Sequence, residues 1–345
     1  MRSVRSGRPR WALRRHAHRC LLGSTALRRG YRGTGPASGR GGTGSGPALW
    51  LGVVSTGTTN RHPGDQNDQW VITLVCNDRP GIVNAVSAAV LAARGNITEL
   101  QQFANAEGRF FLRLQVETEA DRPEIEQALT PLGAELDADW QLDVVGRPVR
   151  TLVLASKAAH CLNDLLFRQH SGWLPVQIPL VLANHPDLGD LARFYGVPLE
   201  HHPVTPETKP DFERRVLEAV AEHDIELVVL ARYMQILSPE LCEALAGRAI
   251  NIHHSFLPGF KGANPYRQAH ERGVKLIGAT AHFVTSDLDE GPIIEQNVVR
   301  VDHTRSPKQL VAIGQDEESR TLTQAVKLYA ENRVLLDGAR TIIFR

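Results

Sequence analysis

Apolar and polar positions alternate from Trp70 onward. Trp70, Ile72, Leu74 and Cys76 fall on one side and Val71, Thr73 and Val75 on the other, the two-residue period of a strand. Asp78-Arg79-Pro80-Gly81 breaks that pattern, and Ile82, Val83, Val86 and Val90 then recur at helical spacing. A further strand is expected near residues 97–103. The clearest strand follows it: Phe110, Leu112, Leu114 and Val116 face one way, and Phe111, Arg113, Gln115 and Glu117 the other. Pro123 opens a second helix carrying Ile125, Leu129 and Leu132, and Trp140, Leu142 and Val144 make a last strand. The order βαββαβ predicts a ferredoxin-like domain over residues 69–148, with both helices on one sheet face.

Beyond residue 148 the pattern changes. Residues 149–156, 178–183 and 227–231 are near-continuous apolar runs, the mark of parallel strands buried on both faces. Residues 249–252 and 280–284 read as two more strands, and helical stretches separate the first runs. Alternating βα units predict an α/β domain over residues 149–345, a doubly wound and mostly parallel sheet. Ligands of such sheets sit outside the carboxyl ends of the strands.

Composition narrows the partners. The 345 residues carry a formal net charge of +1, which conceals an asymmetry. Residues 1–64 hold twelve arginines, no lysine and no acidic residue; the remainder holds 27 basic and 38 acidic residues. A body that acidic excludes nucleic acid and anionic membrane as its partners. No stretch reaches the roughly 18 apolar residues of a membrane span. The leader, residues 1–68, is expected to be disordered, since an Arg/Gly-rich segment buries too little apolar surface to offset its ordering entropy. Three readings of it stay open: a dispensable or upstream-encoded tail, a mitochondrial transit peptide, or a basic binding arm. Four scattered cysteines, Cys20, Cys76, Cys161 and Cys242, fit a reducing compartment, with the thiols buried as small apolar groups. Their spacing offers no metal site.

The segments after the strands carry the candidate chemistry. Residues 156–162 contain no glycine, which disfavours a phosphate or dinucleotide at that turn. His160 there reads as a packed or capping side chain, with catalysis as the alternative. Met234, Gln235, Ile236 and Leu237 follow the third run; they could wall a flat aromatic ligand or serve as ordinary core. Ser238 and Pro239 read as a helix N-cap and N1. After the fourth strand, Asn251 and His253 lie two apart, so on a strand end they point to the same side. An amide donor beside an imidazole can stabilise an oxyanion while a proton moves. The polar loop 285–291 contains Asp287 and Asp289, and a carboxylate near His253 could orient the ring and hold a water.

Two resemblances follow. The strand, Asp78-Arg79-Pro80-Gly81-Ile82-Val83 and the helix after it resemble the ACT domain, a ligand-sensing module. That resemblance implies an amino-acid effector, glycine or methionine, at Asp78, Gly81 and Ile82, and a homo-oligomer. The Asn251-Ile252-His253 strand end, Ser255-Phe256-Leu257-Pro258 and Leu288-Asp289-Glu290-Gly291 resemble the formyl-folate hydrolase/transferase family. His254, residues 251–266 and 278–296, and the ACT domain in front are similar to its hydrolase branch, the formyltetrahydrofolate deformylases. The resemblance covers residues 69–345. It implies hydrolysis of 10-formyltetrahydrofolate to tetrahydrofolate and formate, balancing one-carbon pools for purine synthesis in the cytoplasm. It makes Asn251, His253 and Asp289 the catalytic trio. Met234–Leu237, His254 and Asp287 would hold the folate, and His254 with residues 261–266 would close the space of an amine acceptor. No metal and no cofactor are implied. A formyl transferase acting on an amine, and an amino-acid sensor on an inactive fold, are the alternatives.

Overall fold

The computed structural model describes residues 68–255 and 265–345. The leader expectation and the segment 256–264 lie outside the described residues. The first domain comprises β1 (Asp68–Asn77), α1 (Ile82–Ala92), β2 (Asn96–Ala104), β3 (Arg109–Thr118), α2 (Arg122–Leu136) and β4 (Asp139–Val144). Its antiparallel sheet has the order β2-β3-β1-β4, as a βαββαβ unit requires. The even positions of β1 and β3 bury against Ile82, Val86 and Val90 of α1 and Ile125, Leu129 and Leu132 of α2. Asp121 starts α2 with a capping box: its side chain accepts from the Glu124 amide, and the Glu124 side chain accepts from the Asp121 amide.

The odd face of that sheet is buried as well. Phe111 is fully buried and packs with Leu335 and Phe344, Val75 and Ile342 lying against them. Leu335, Ile342 and Phe344 lie on or next to a two-stranded hairpin, β12 (Val334–Asp337) and β13 (Arg340–Ile343). Periodicity showed that Phe111 and Arg113 share a face but not what covers it.

The second domain is a seven-stranded sheet. It contains β5 (Val149–Ala155), β6 (Val176–Ala183), β7 (Leu199–His201), β8 (Leu227–Ala231), β9 (Ala249–His253), β10 (Leu276–Phe283) and β11 (Ile293–Arg300). The order is β11-β10-β9-β8-β5-β6-β7; β5 through β9 run parallel, and β10 pairs antiparallel with both β9 and β11. Leu152, Leu154 and Leu182 have no exposed surface, as a sheet covered on both faces demands. Five of its helices are α3 (His160–His170), α4 (Gly189–Phe194), α5 (Lys209–Glu222), α6 (Pro239–Ala244) and α7 (Pro265–Glu271); the sixth, α8 (Pro307–Ala330), packs on β9, β10 and β11. Strand order reverses at β5, which lies between β6 and β8. The carboxyl ends of β5, β8 and β9 therefore meet at the switch point where a ligand crevice is expected.

Candidate active site

The site is assembled where β9 ends. Antiparallel pairing sets Thr280 opposite His253 and His282 opposite Asn251, so His282 joins the two residues read from the strand end. His282 Nδ1 lies 2.9 Å from the carbonyl of Phe283, its own next residue. A carbonyl only accepts, so Nδ1 carries the proton and the Nε2 of a neutral ring carries a lone pair. The Asn251 amide nitrogen lies 3.3 Å from that Nε2.

Asp289 enters from the loop after β10. Its Oδ2 lies 3.2 Å from His253 Nδ1, and its Oδ1 lies 3.7 Å from His282 Nε2. The hydrogen bond from His253, then the contact with His282, hold the Asp289 carboxyl well below the usual carboxylate range against the opposing effect of burial. Asp289 sits at φ 58°, in the left-handed region. Non-glycine residues there are uncommon and cluster at functional sites. The loop can fold back so tightly because residue 291 is glycine: a Cβ there would lie 1.7 Å from the Phe283 carbonyl oxygen.

His253 is 9% exposed. Its Nδ1 faces Asp289, which accepts, and its Nε2 is buried with no hydrogen-bond partner among the described residues. His254 stacks on it, with ring centroids 4.9 Å apart and planes 24° apart. Behind them lies a second cluster. Arg232 Nη1 is 2.7 Å from His254 Nδ1, and Arg232 Nε is 3.2 Å from Glu318 Oε2. Glu318, 1% exposed in α8, also meets His160 Nε2 at 2.8 Å and accepts from the Tyr266 hydroxyl at 2.6 Å. Burial would raise the Glu318 carboxyl, but His160, Arg232 and Tyr266 outweigh it and hold it below its ordinary value.

Most of the residues read as substrate-binding fall around the same strand ends. Met234 and Ile236 are 58% and 62% exposed, large apolar side chains turned outward; Gln235 is half-buried. The Met234 amide donates to Ser156 Oγ at 3.0 Å, tying the end of β8 to that of β5. The Leu237 side chain lies instead in the core under β8. Asp287 is exposed, and its carbonyl accepts from Thr285 Oγ1 at 3.0 Å within the Asp289 loop. Asp78, Gly81 and Ile82 line a cleft of about 650 Å³ in the first domain, with Asn84, Gln102 and Phe103 on its other walls. Ile82 itself is buried, so it offers the cleft its backbone. Gly81 holds φ 95° ahead of α1.

Sequence spacing offered no metal cluster, yet folding brings His160, Cys161 and Glu318 within 4.8 Å of one another. The donor set suits a cation poorly. Glu318 is already held by His160, Arg232 and Tyr266, and the guanidinium opposes a second positive charge. Burial pushes the Cys161 thiol far up, which keeps it protonated.

Residues 149–326 match the Formyl transferase family and residues 68–143 the ACT domain family. A formyltetrahydrofolate deformylase of Corynebacterium sp. (strain P-1) is 49% identical over 280 residues, covering 80% of this chain and 98% of that protein. The chain belongs to the formyltetrahydrofolate deformylases. A crystal structure of the Burkholderia mallei deformylase is 48% identical with TM-score 0.78, and covers 81% of this chain and all of that one. Glycinamide ribonucleotide transformylase 1 of Symbiobacterium toebii is 33% identical with TM-score 0.55, over only 59% of this chain. The match to deformylases thus spans both domains, whereas that transformylase covers little more than half of the chain.

Proposed function

We infer that this chain hydrolyses 10-formyltetrahydrofolate to tetrahydrofolate and formate. The observation that carries the reading is the Asn251, His253 and Asp289 cluster at the end of β9, on a chain similar to deformylases through both domains. Water adds to the formyl carbon. His253 Nε2, buried and aimed at no other described group, donates to the developing oxyanion together with the Asn251 amide. Such donors contribute about 10² to 10³ each in rate. Asp289 keeps the proton on His253 Nδ1 and orients the attacking water. Collapse of the tetrahedral intermediate breaks the bond to N10. This weakly basic anilinic nitrogen takes its proton from His253 directly or through a water, His253 recovers one from the water that added, and formate leaves as its acid proton passes to solvent. The pterin lies against Met234, Ile236 and the Asp287–Asp289 loop, and residues from Met234 to Leu237 read its edge with backbone groups. The reaction needs no resident metal or cofactor.

The cleft at Asp78, Gly81 and Ile82 takes an amino-acid effector, glycine or methionine. Its carboxylate meets the N–H groups that open α1, and its ammonium meets Asp78. The chain works in the cytoplasm as a homo-oligomer, and its formate balances one-carbon pools for purine synthesis. Incubation of the purified protein with 10-formyltetrahydrofolate in the absence of any amine should release formate and tetrahydrofolate in equal amounts. Turnover only on addition of an amine would make it a transferase instead, and no turnover under either condition an inactive sensor.

A further inference from the structure

Arg232 is unusual on three counts. It follows the last residue of β8 with φ 60°, in the left-handed region. Its side chain is largely buried. Its fork reaches two residues from distant parts of the chain, His254 beyond β9 and Glu318 in the middle of α8. A guanidinium has donors only and does not lose its charge. His254 Nδ1, 2.7 Å away, must therefore present a lone pair, so His254 is neutral with its proton on Nε2.

We propose that Arg232 is a positioning residue for deformylation: braced on Glu318, it fixes His254 as the neutral Nε2–H tautomer, flat against His253, so that the acting proton of the stacked pair resides on His253. The proposal rests on the role given to His253 above.

The surroundings explain why such a device is needed. His254 is faced by Arg232 from the β8 end, His253 from β9, Glu318 from α8 and Asp289 from the loop after β10. His282, Tyr266 and His160 stand in the next layer. Two carboxylates would draw a proton to either imidazole, and a charged His254 would oppose a charged His253 at 4.9 Å. Burial, then the Arg232 guanidinium, then His253 bring the His254 ring down to about 4. Glu318 balances the guanidinium and is braced in turn by His160 and Tyr266. The brace is closely fitted: a Cβ at Gly314, one turn before Glu318, would lie 2.1 Å from the Tyr266 hydroxyl. A neutral ring stacked on an imidazolium also accommodates its charge through the π face.

Two measurements test this. Long-range ¹H–¹⁵N spectra of the histidine-labelled wild-type protein read the tautomer without reference to turnover. His254 should be protonated at Nε2 alone between about pH 5 and 8, below which range its uptake of a proton lies. A proton on Nδ1, or a doubly protonated His254 at pH 6, would overturn the proposal even in a fully active enzyme. In Arg232→Met, His254 should titrate within that range. Its kcat at pH 7 should fall at least about tenfold, with KM within about threefold, and Arg232→Lys should recover part of the loss. Arg232→Met with a wild-type kcat and pH profile would also overturn it. Should Arg232→Met not fold, Arg232→Gln replaces it, since it also removes the guanidinium charge, with the same expected titration of His254. Absence of formate release from the wild type would instead defeat the reading of the reaction, and leaves the tautomer result standing.

Discussion

Arg113 Nη2 in the first-domain sheet donates to the main-chain carbonyl of Glu331, 3.1 Å away, just past the C-terminal end of α8. That carbonyl is one of those a helix leaves unsatisfied, and the cation sits at the negative end of the helix dipole. Arg113 is 2% exposed and also lies 3.0 Å from Glu99, which Arg333 holds at 2.9 Å. Arg113→Ala removes a buried charge from this arrangement but leaves Glu99 a partner. Urea titration should show a loss of about 3 kcal/mol, the low end for breaking a buried pair. A loss under about 1 kcal/mol would mean that Arg113 contributes little beyond its aliphatic stem.

His253→Ala should lower kcat by about 10² to 10⁴ while KM changes by less than about threefold, because the lost interaction forms with the developing charge. Asp289→Asn should be comparably slow. Asn tolerates the left-handed backbone at φ 58°, so that variant tests the carboxylate and not the loop. Steady-state formate release decides both; more than a tenth of wild-type kcat in either contradicts the assigned role.

Gly291→Ala separates loop position from loop chemistry. The added methyl would meet the Phe283 carbonyl, forcing the Asp289 loop off the end of β10. Expected are a folded protein by circular dichroism and a kcat reduced by at least about tenfold, since a misplacement near 1 Å costs on the order of 10² in rate. Unchanged kcat would show that Asp289 does not depend on this turn.

Gly81→Val should abolish the response to glycine or methionine with basal formate release intact. No atom lies within 4 Å of a Cβ at Gly81, so the effect comes from φ 95° and not from a steric clash with the protein. A branched residue in left-handed backbone costs about 1–2 kcal/mol, which the turn relieves by moving. Calorimetry with each amino acid checks it: binding by the variant as tight as by wild type removes Gly81 from the site.

Glu200 sets a pH dependence. Two hydrogen bonds from Arg215, each 2.9 Å, and a third contact from His202 lower its carboxyl from 4.5 to about 2. A carboxylate depressed in the folded state stabilises it fully above its unfolded value, and that contribution is lost as pH falls toward the folded one. Wild-type stability should therefore decline between about pH 4.5 and 2 more steeply than that of Glu200→Gln. Parallel curves from thermal melts across that interval would remove the ion pair from the acid response.

The legible parts were local. Asn251 and His253 stood out because two residues on one strand end share a side, and the alternation of residues 110–117 fixed β3 and its helix-facing side. Arg232 was visible in the run after β8 but carried no signal of a role: its partners are 22 and 86 positions away. Glu318 sits in a polar helical stretch that reads as solvated surface. His160, read as packed or capping, is packed, and its partner Glu318 is 158 residues distant. His282 had a usable signal, since antiparallel pairing of the two short strands places it opposite Asn251, but register is not set by either strand alone. The three-residue β7 is too short to show a period.

The covering of Phe111 by Leu335 and Phe344 bears on how the chain matures at the ribosome. More than two hundred residues separate the end of β3 from Phe344. At about 5–20 residues per second, that is a delay on the order of 10 to 45 s. During this interval the nascent first domain can close its helix-covered face, while the side bearing Phe111 and Arg113 waits for the final segment to be made. The earliest domain to emerge is thus among the last to be completed, and a chaperone that binds apolar sheet surface would find its target there.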